Sequence, residues 1–309
     1  MFQDYTKDYR LCISRGKRGL ERGDYDYAIA AYSLATELCP DEPFAYYQRG
    51  WAYGCQKKWQ QAVDDYSRVI KLDPFSGNVY HLRGKAYGHL GQFKAGIADL
   101  TRVVENYPEF GEGYFMRGLT YLSAEFFPLA IADFSKAIEL EEDMGRGDSR
   151  RAETYAKQYS YKEALADYWR VNEIDPKDPF AYLGMASVER AMGRIIPAMG
   201  NVNRALELNP NVMDAFSLRG MLYADIGEHG KSALNHSRAI ELGKDTAEEH
   251  CYRSRAYFKI NKYYEAREDL IKAFELDKKC AQAHTLMQEF GLESVVMPSG
   301  EMVQLEITS

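Results

Sequence analysis

The sequence is short of the residues that most chemistry would need. Its 309 residues include only five cysteines, Cys12, Cys39, Cys55, Cys251 and Cys280. Their odd number and scattered spacing exclude a disulfide framework and a CxxC pair, and point to a reducing compartment, the cytoplasm. The six histidines, His81, His89, His229, His236, His250 and His284, form no HExxH and no Cys/His spacing suited to zinc, so no metal and no cofactor are expected. There is no GxSxG elbow or other nucleophile–base motif, and catalysis is not expected. No run approaches the ~18 apolar residues of a membrane span. The opening MFQDYTKDYRLC lacks a basic stretch followed by an apolar one, so a secretory signal is not expected either. Positive charge is also in deficit. Lys and Arg number 39 against 46 Asp and Glu, a formal net charge of −7, which disfavours nucleic acid as a partner of the whole molecule.

Glycine is not scarce, and RGKAYGHLGQ, residues 83–92, invites a reading as a phosphate-binding loop. The chemistry does not fit. Such a loop needs a glycine five residues before the glycine of Gly84-Lys85 and a hydroxyl after the lysine, where this chain has Val79 and Ala86. The dinucleotide pattern fails as well, because Ala86 stands where its second glycine would be.

The same segment recurs. QRGWAY begins at Gln48, LRGKAY at Leu82, MRGLTY at Met116 and LRGMLY at Leu218, at offsets that are multiples of 34. Counting from Tyr9, eight registers follow without insertion to Cys280. Position 8 is always small (Gly16, Gly50, Gly84, Gly118, Ala152, Ala186, Gly220, Ser254), and so is position 20 (Ala28, Ala62, Gly96, Ala130, Ala164, Ala198, Ser232, Ala266). Tyr46, Tyr80, Tyr114, Tyr182 and Phe216 hold position 4, and Tyr53, Tyr87, Tyr121, Tyr155, Tyr223 and Tyr257 hold position 11. Positions 4, 8 and 11 share one helical face, and positions 20, 24 and 27 form a second. Between them Gly23, Gly91, Gly193, Gly227 and Asn261 suit a left-handed turn, and Pro40, Pro74, Pro108, Pro176 and Pro210 end the second helix at position 32. Each repeat reads as two antiparallel helices.

These residues resemble the tetratricopeptide repeat, with its small residues at 8, 20 and 27, bulky residues at 4, 11 and 24, and proline at 32. The resemblance implies an all-α, right-handed superhelix of helix pairs, with first helices lining a concave groove. Residues 1–8 then form a lead; the repeats span 9–42, 43–76, 77–110, 111–144, 145–178, 179–212, 213–246 and 247–280; residues 281–292 form a capping helix. In the tail, residues 293–309, Val295 and Met297 and then Val303, Leu305 and Ile307 alternate around Pro298-Ser299-Gly300, which predicts a short β-hairpin. Such a hairpin is marginal alone, so it should lie on the last helices, add to a partner's sheet or mediate self-association.

Arginine recurs at position 7. Arg49, Arg83, Arg117, Arg151 and Arg253 each precede an aspartate by sixteen residues, Asp65, Asp99, Asp133, Asp167 and Asp269. The spacing predicts structural ion pairs joining the two helices of a repeat. In the sixth repeat Met185 and Asn201 replace both partners. Arg146-Gly147-Asp148 resembles an integrin-binding tripeptide, and its place at a helix start argues for coincidence. The replacements Glu142, Gly145, Gly147 and Asp148 predict a softer joint over 142–150.

In the architecture that the resemblance implies, positions 2, 5, 9, 12 and 13 of the first helices face the groove. The partner-binding candidates are therefore Phe44, Tyr47, Trp51, His81, Lys85, His89, Phe115 and Leu119, joined by Leu122 and by Gly54 and Gly88, which leave room. The later repeats contribute Arg146, Glu153, Lys157, Arg190, Asp214, Asp225, Arg255 and Lys259. A family clamp for chaperone C-termini needs lysine at position 5 and asparagine at 9; here those places read Ile13/Lys17, Tyr47/Trp51 and His81/Lys85. The expected function is a non-catalytic interaction scaffold binding a protein or peptide in its groove. Alternatives are a docking or sensor subunit of a regulatory assembly, and binding of nucleic acid or another phosphate-bearing ligand.

Overall fold

A computed structural model describes residues 5–140, 145–296, 298, 299 and 302–304 of the chain. It divides into two compact units, Met1–Gln158 and Tyr159–Ser309. The first contains α1 (Tyr5–Glu21), α2 (Tyr25–Leu38), α3 (Pro43–Cys55), α4 (Trp59–Leu72), α5 (Gly77–His89), α6 (Phe93–Asn106), α7 (Gly111–Ser123), α8 (Phe127–Leu140) and α9 (Gly145–Lys157). The second contains α10 (Tyr161–Ile174), α11 (Pro179–Ala191), α12 (Ile195–Leu208), α13 (Met213–Asp225), α14 (His229–Glu241), α15 (Ala247–Lys259), α16 (Tyr263–Leu276) and α17 (Ala281–Glu289), then β1 (Ser294–Val296) and β2 (Met302–Gln304). No helix among the described residues is long and apolar enough to cross a membrane.

The turn between the two helices of a repeat is set by backbone conformation. One residue there is left-handed in every repeat: Gly23, Lys57, Gly91, Glu125, Tyr159, Gly193, Gly227 and Asn261, with φ from 58° to 80°. Glycine takes this conformation freely, whereas Lys57, Glu125 and Tyr159 hold it against the steric preference of an L side chain. At the other end of the repeat Asp73, Asp175, Asn209 and Asp277 accept a hydrogen bond from the backbone N–H two residues on, fixing the turn into the next repeat.

Packing explains why small residues recur. At Gly84 an added Cβ would lie 2.7 Å from Leu100 Cγ, so the absence of a side chain lets α5 and α6 close. Phe134, in α8, rests in the same way against Gly118 of α7. Around these contacts sit clusters such as Ala62, Val63, Tyr66, Val69, Val79 and Ala86, and in the second unit Ala186, Ala198, Val202, Ala205, Ala215 and Leu222. Both of these clusters combine residues from two successive repeats, so the neighbouring repeats share a core.

The hairpin pairs antiparallel, Ser294 with Gln304, Val295 with Val303 and Val296 with Met302. Val295 is fully buried among Cys251, Phe274, Cys280, Leu286 and Met287, with Val303 packed against the same cluster. This is the first of the three expected placements, on the last helices of the same chain. Met297 and residues 305–309 lie outside the described residues, as do 142–144 of the expected soft joint; residues 145–150 of that joint are helical, in α9.

Candidate functional site

Four arginines of position 7 are bidentate on an aspartate of their own repeat. Arg49 donates from Nε and Nη2 to Asp65 at 2.8 and 2.7 Å, Arg83 to Asp99 at 2.7 and 2.9 Å, Arg117 to Asp133 at 2.7 and 2.8 Å, and Arg253 to Asp269 at 2.8 and 2.6 Å. The aspartates are buried, Asp65 at 5% and Asp269 at 4% exposure. Their arginines retain positive charge beyond the ordinary range because the carboxylate binds them, an effect that outweighs burial at Arg49, Arg83 and Arg117. Arg151 lies 3.5 Å from Asp148 in α9, and Asp167 is buried in the second unit.

The sequence reading missed the second half of this device. Nη1 of each arginine reaches back sixteen residues to a hydroxyl on the preceding repeat: Arg49 to Ser33, Arg83 to Ser67, Arg117 to Thr101, Arg151 to Ser135 and Arg253 to Ser237, at 2.9 to 3.2 Å. Arg219 does the same with amides, Asn235 ahead at 2.8 Å and Asn203 behind at 3.1 Å. The signal was the recurrence of Ser or Thr at position 25. These side chains are consumed by structure, so they form no anion-binding stripe.

The groove candidates divide by position. Position 5 turns inward. Phe115 is only 6% exposed, its ring 5.8 Å from that of Phe134 and covered by the Arg146 guanidinium at 4.6 Å, so it cannot anchor a partner. Tyr47 is half-buried, its hydroxyl accepting from Asn78 at 2.9 Å. His81 stands edge-on to Phe110, and burial, then the Lys85 charge, hold its imidazole down to about 4. Arg146 is also paired with Glu112, and Asp148 is fully buried, so the tripeptide around Gly147 is not displayed.

Positions 9, 12 and 13 do meet at a cavity. About 460 Å³ of space between α5, α7 and α9 is lined by Lys85, Gly88, His89, Leu119, Leu122 and Lys157, with Met116, Arg150 and Glu153 among the further walls. His89 stacks on Trp59, centroids 4.0 Å apart, and burial and the nearby lysines Lys85 and Lys57 push its imidazole below its usual range. The positive charge therefore comes from Lys85, Lys157 and Arg150. Arg150 is met by Glu153 at 2.8 Å, while among the described residues Lys85 and Lys157 have no carboxylate within pairing distance. A second recess of about 320 Å³ is lined by Phe44, Tyr47, Asn78 and Val79. Phe44 in its wall is 38% exposed under the Lys17 ammonium, and Trp51, on the same helix, is 37% exposed with its ring edge-to-face with Tyr25.

In the second unit the charges largely cancel. Arg190 is bidentate on Asp225 at 2.6 and 3.1 Å, Arg255 pairs with Glu289 at 2.8 Å, and Asp214 with Lys244 at 2.8 Å. Arginines already held by carboxylates are poor phosphate ligands, which removes the support for a phosphate-bearing ligand there. Beneath a cavity of about 250 Å³ lies a polar cluster unforeseen from sequence. His236 Nδ1 is 2.6 Å from Glu249, and Glu249 accepts from Ser217 at 2.7 Å, all three 1% exposed.

Four family models described as tetratricopeptide repeat or TPR repeat match, over residues 16–56, 43–76, 81–143 and 251–280. No protein of curated function matches the sequence. Among solved structures, a tetratricopeptide repeat protein from Parabacteroides merdae superposes with a TM-score of 0.69 at 21% identity, covering 81% of this chain and 99% of that one. PilF of Pseudomonas aeruginosa gives 0.56 at 16%, over 71% and 100% of the two chains. MamA of Desulfovibrio magneticus gives 0.54 at 22%, over 57% and 98%. At these identities the likeness concerns the fold. Helix pairs repeating in one register, small residues where the helices touch and matches to the family in both units lead to one conclusion: this chain belongs to the tetratricopeptide repeat proteins, as an all-α solenoid with a short C-terminal β-hairpin.

Proposed function

We propose that the protein is a non-catalytic interaction scaffold that binds an extended peptide or helix on the first helices of its first unit, and that the bound segment carries an acidic side chain beside apolar ones. The observation that carries this reading is the cavity between α5, α7 and α9, where Lys85 and Lys157 stand beside Leu119 and Leu122 with no carboxylate paired to them among the described residues. A cation without a local partner, next to apolar surface, is complementary to a carboxylate flanked by an aliphatic or aromatic anchor. Trp51 and Phe44 offer further apolar contact along neighbouring first helices. The five unpaired cysteines favour the cytoplasm as its place of work.

A displayed library of random peptides tests this directly. Acidic-apolar sequences should be enriched on the wild-type chain and lost on Lys85→Glu/Lys157→Glu, whose circular dichroism should be unchanged. Enrichment of basic peptides, or enrichment indifferent to the charge reversal, would refute the assignment. Affinity should fall only moderately with added salt, since one or two charges are engaged, whereas a phosphate backbone would give a steep dependence.

A further inference from the structure

Cys251 lies in α15 and Cys280 immediately precedes α17 at its N-cap position, its side chain making no capping hydrogen bond. Their sulfurs are 3.9 Å apart, in contact, at 0% and 6% exposure. The other three cysteines belong to the first unit, so this pair is the thiol chemistry of the second. A disulfide needs its sulfurs about 2.05 Å apart, and so a closure of roughly 2 Å would suffice. The element that can supply it is α17, which has nine residues where α15 has thirteen, and which is the last helix of the array. A helix this short has few hydrogen-bonded turns to break and opens more readily than the longer helices before it.

We infer that Cys251 and Cys280 form an oxidation site, converted by a hydroperoxide into an intramolecular disulfide that fastens the capping helix to the last repeat. One thiol, as its thiolate, attacks the peroxide oxygen; the O–O bond breaks, the alcohol or water leaves, and a sulfenic acid remains. The second thiolate then displaces hydroxide from that sulfur, which departs as water. The dithiol gives up two electrons and two protons, and the hydroperoxide is reduced to an alcohol and water. Packing makes the closed state unreactive. Leu286, Met287 and the hairpin residue Val295 share one buried cluster with both cysteines, and burial, reinforced by the neighbouring Cys280, pushes the Cys251 thiol far above its usual range. The thiolate is the reactive species, so oxidation waits for α17 and the hairpin to lift together. The hairpin acts as a cover over the dithiol, and the disulfide makes that cover permanent.

The test uses the full chain, treated with hydrogen peroxide, then alkylated and digested without reductant. The expected result is a single crosslinked peptide joining the peptides of Cys251 and Cys280, two hydrogens lighter than the sum of the two reduced peptides, and a melting temperature raised by about 5 °C. Cys280→Ala and Cys251→Ala should each abolish the link. Urea concentrations well below global unfolding should accelerate it, since local opening is enough. Both thiols remaining alkylatable after exposed Cys55 has been oxidised, or a link forming only at the urea midpoint of global unfolding, would overturn the inference.

Discussion

Arg83 holds Asp99 through two parallel hydrogen bonds of 2.7 and 2.9 Å, joining the first and second helices of one repeat from the side. With Asp99 8% exposed and the Arg83 side chain 17% exposed, the pair is shielded enough to count, unlike a solvent-facing pair. Asp99→Asn removes one charge and leaves the guanidinium half-buried with a weaker acceptor. The expected cost is about 2 kcal/mol in urea unfolding, and unchanged stability would contradict the pairing.

Lys57 adopts φ of 58° at the turn between α3 and α4, where other repeats use glycine. Lys57→Gly should relieve the left-handed strain by more than it adds to the freedom of the unfolded chain, for a net gain of about 0.5 kcal/mol. The same change at a right-handed helical site such as Lys71 should instead destabilise, by about 1 kcal/mol. Thermal melts of the two variants differ in sign if the turn conformation is as described.

Phe115 and Lys85 should separate folding from binding. Phe115→Ala opens a space against Phe134 and is expected to cost about 3 kcal/mol of stability. Lys85→Glu lies on an exposed position and should leave the melt within about 0.5 kcal/mol of wild type while reducing peptide capture at least tenfold. Equal effects of both variants on both measurements would sink the division between inward and outward positions.

Two histidines give opposite pH dependences. His81, held down to about 4 from a usual 6.5, is neutral when folded, and the unfolded chain takes up its proton first. Stability is therefore lost as pH falls from 6.5 towards 4, by about 2 kcal/mol at pH 5. At His250 burial lowers the pKa, but hydrogen bonds to Asp269 at 2.8 Å and Asp245 at 2.7 Å outweigh it and the net shift is upward, with Arg253 opposing. Its contribution is fully present below 6.5 and is lost as pH rises through the folded value. His250→Gln should thus cost more at pH 6 than at pH 9, and His81→Gln less at pH 5 than at pH 8. Unfolding free energies of both variants that run parallel to wild type across this range would exclude the assignment.

The fold was legible because each core is written eight times. Gly84 alone is ambiguous, but Gly16, Gly50 and Gly118 in the same register identify a helix contact, and Phe134 and Leu100 show what fills it. Arg83 and Asp99 were legible for the same reason, the fixed interval between them. Ser67 was not, because serine is equally at home on an exposed helical face. Nor was the burial of Phe115, since an aromatic at position 5 can face a partner or the next repeat, and only the place of Phe134 and Arg146 decides. His236 and Glu249 escaped notice because each is a solitary departure from a small or apolar position, and their meaning lies in their proximity to one another.

The two-way reach of the position 7 arginine also bears on how such a chain can change length. Its forward partner belongs to its own repeat and its backward partner to the one before, both sixteen residues away. Cutting between repeats separates Arg83 from Ser67, yet splicing in another repeat returns an equivalent hydroxyl at the same distance. Duplication or loss of a repeat that carries this arginine, aspartate and hydroxyl, such as the third, therefore leaves its junctions with the same fastening, and the gene can lengthen or shorten that part of the array without having to invent a new interface.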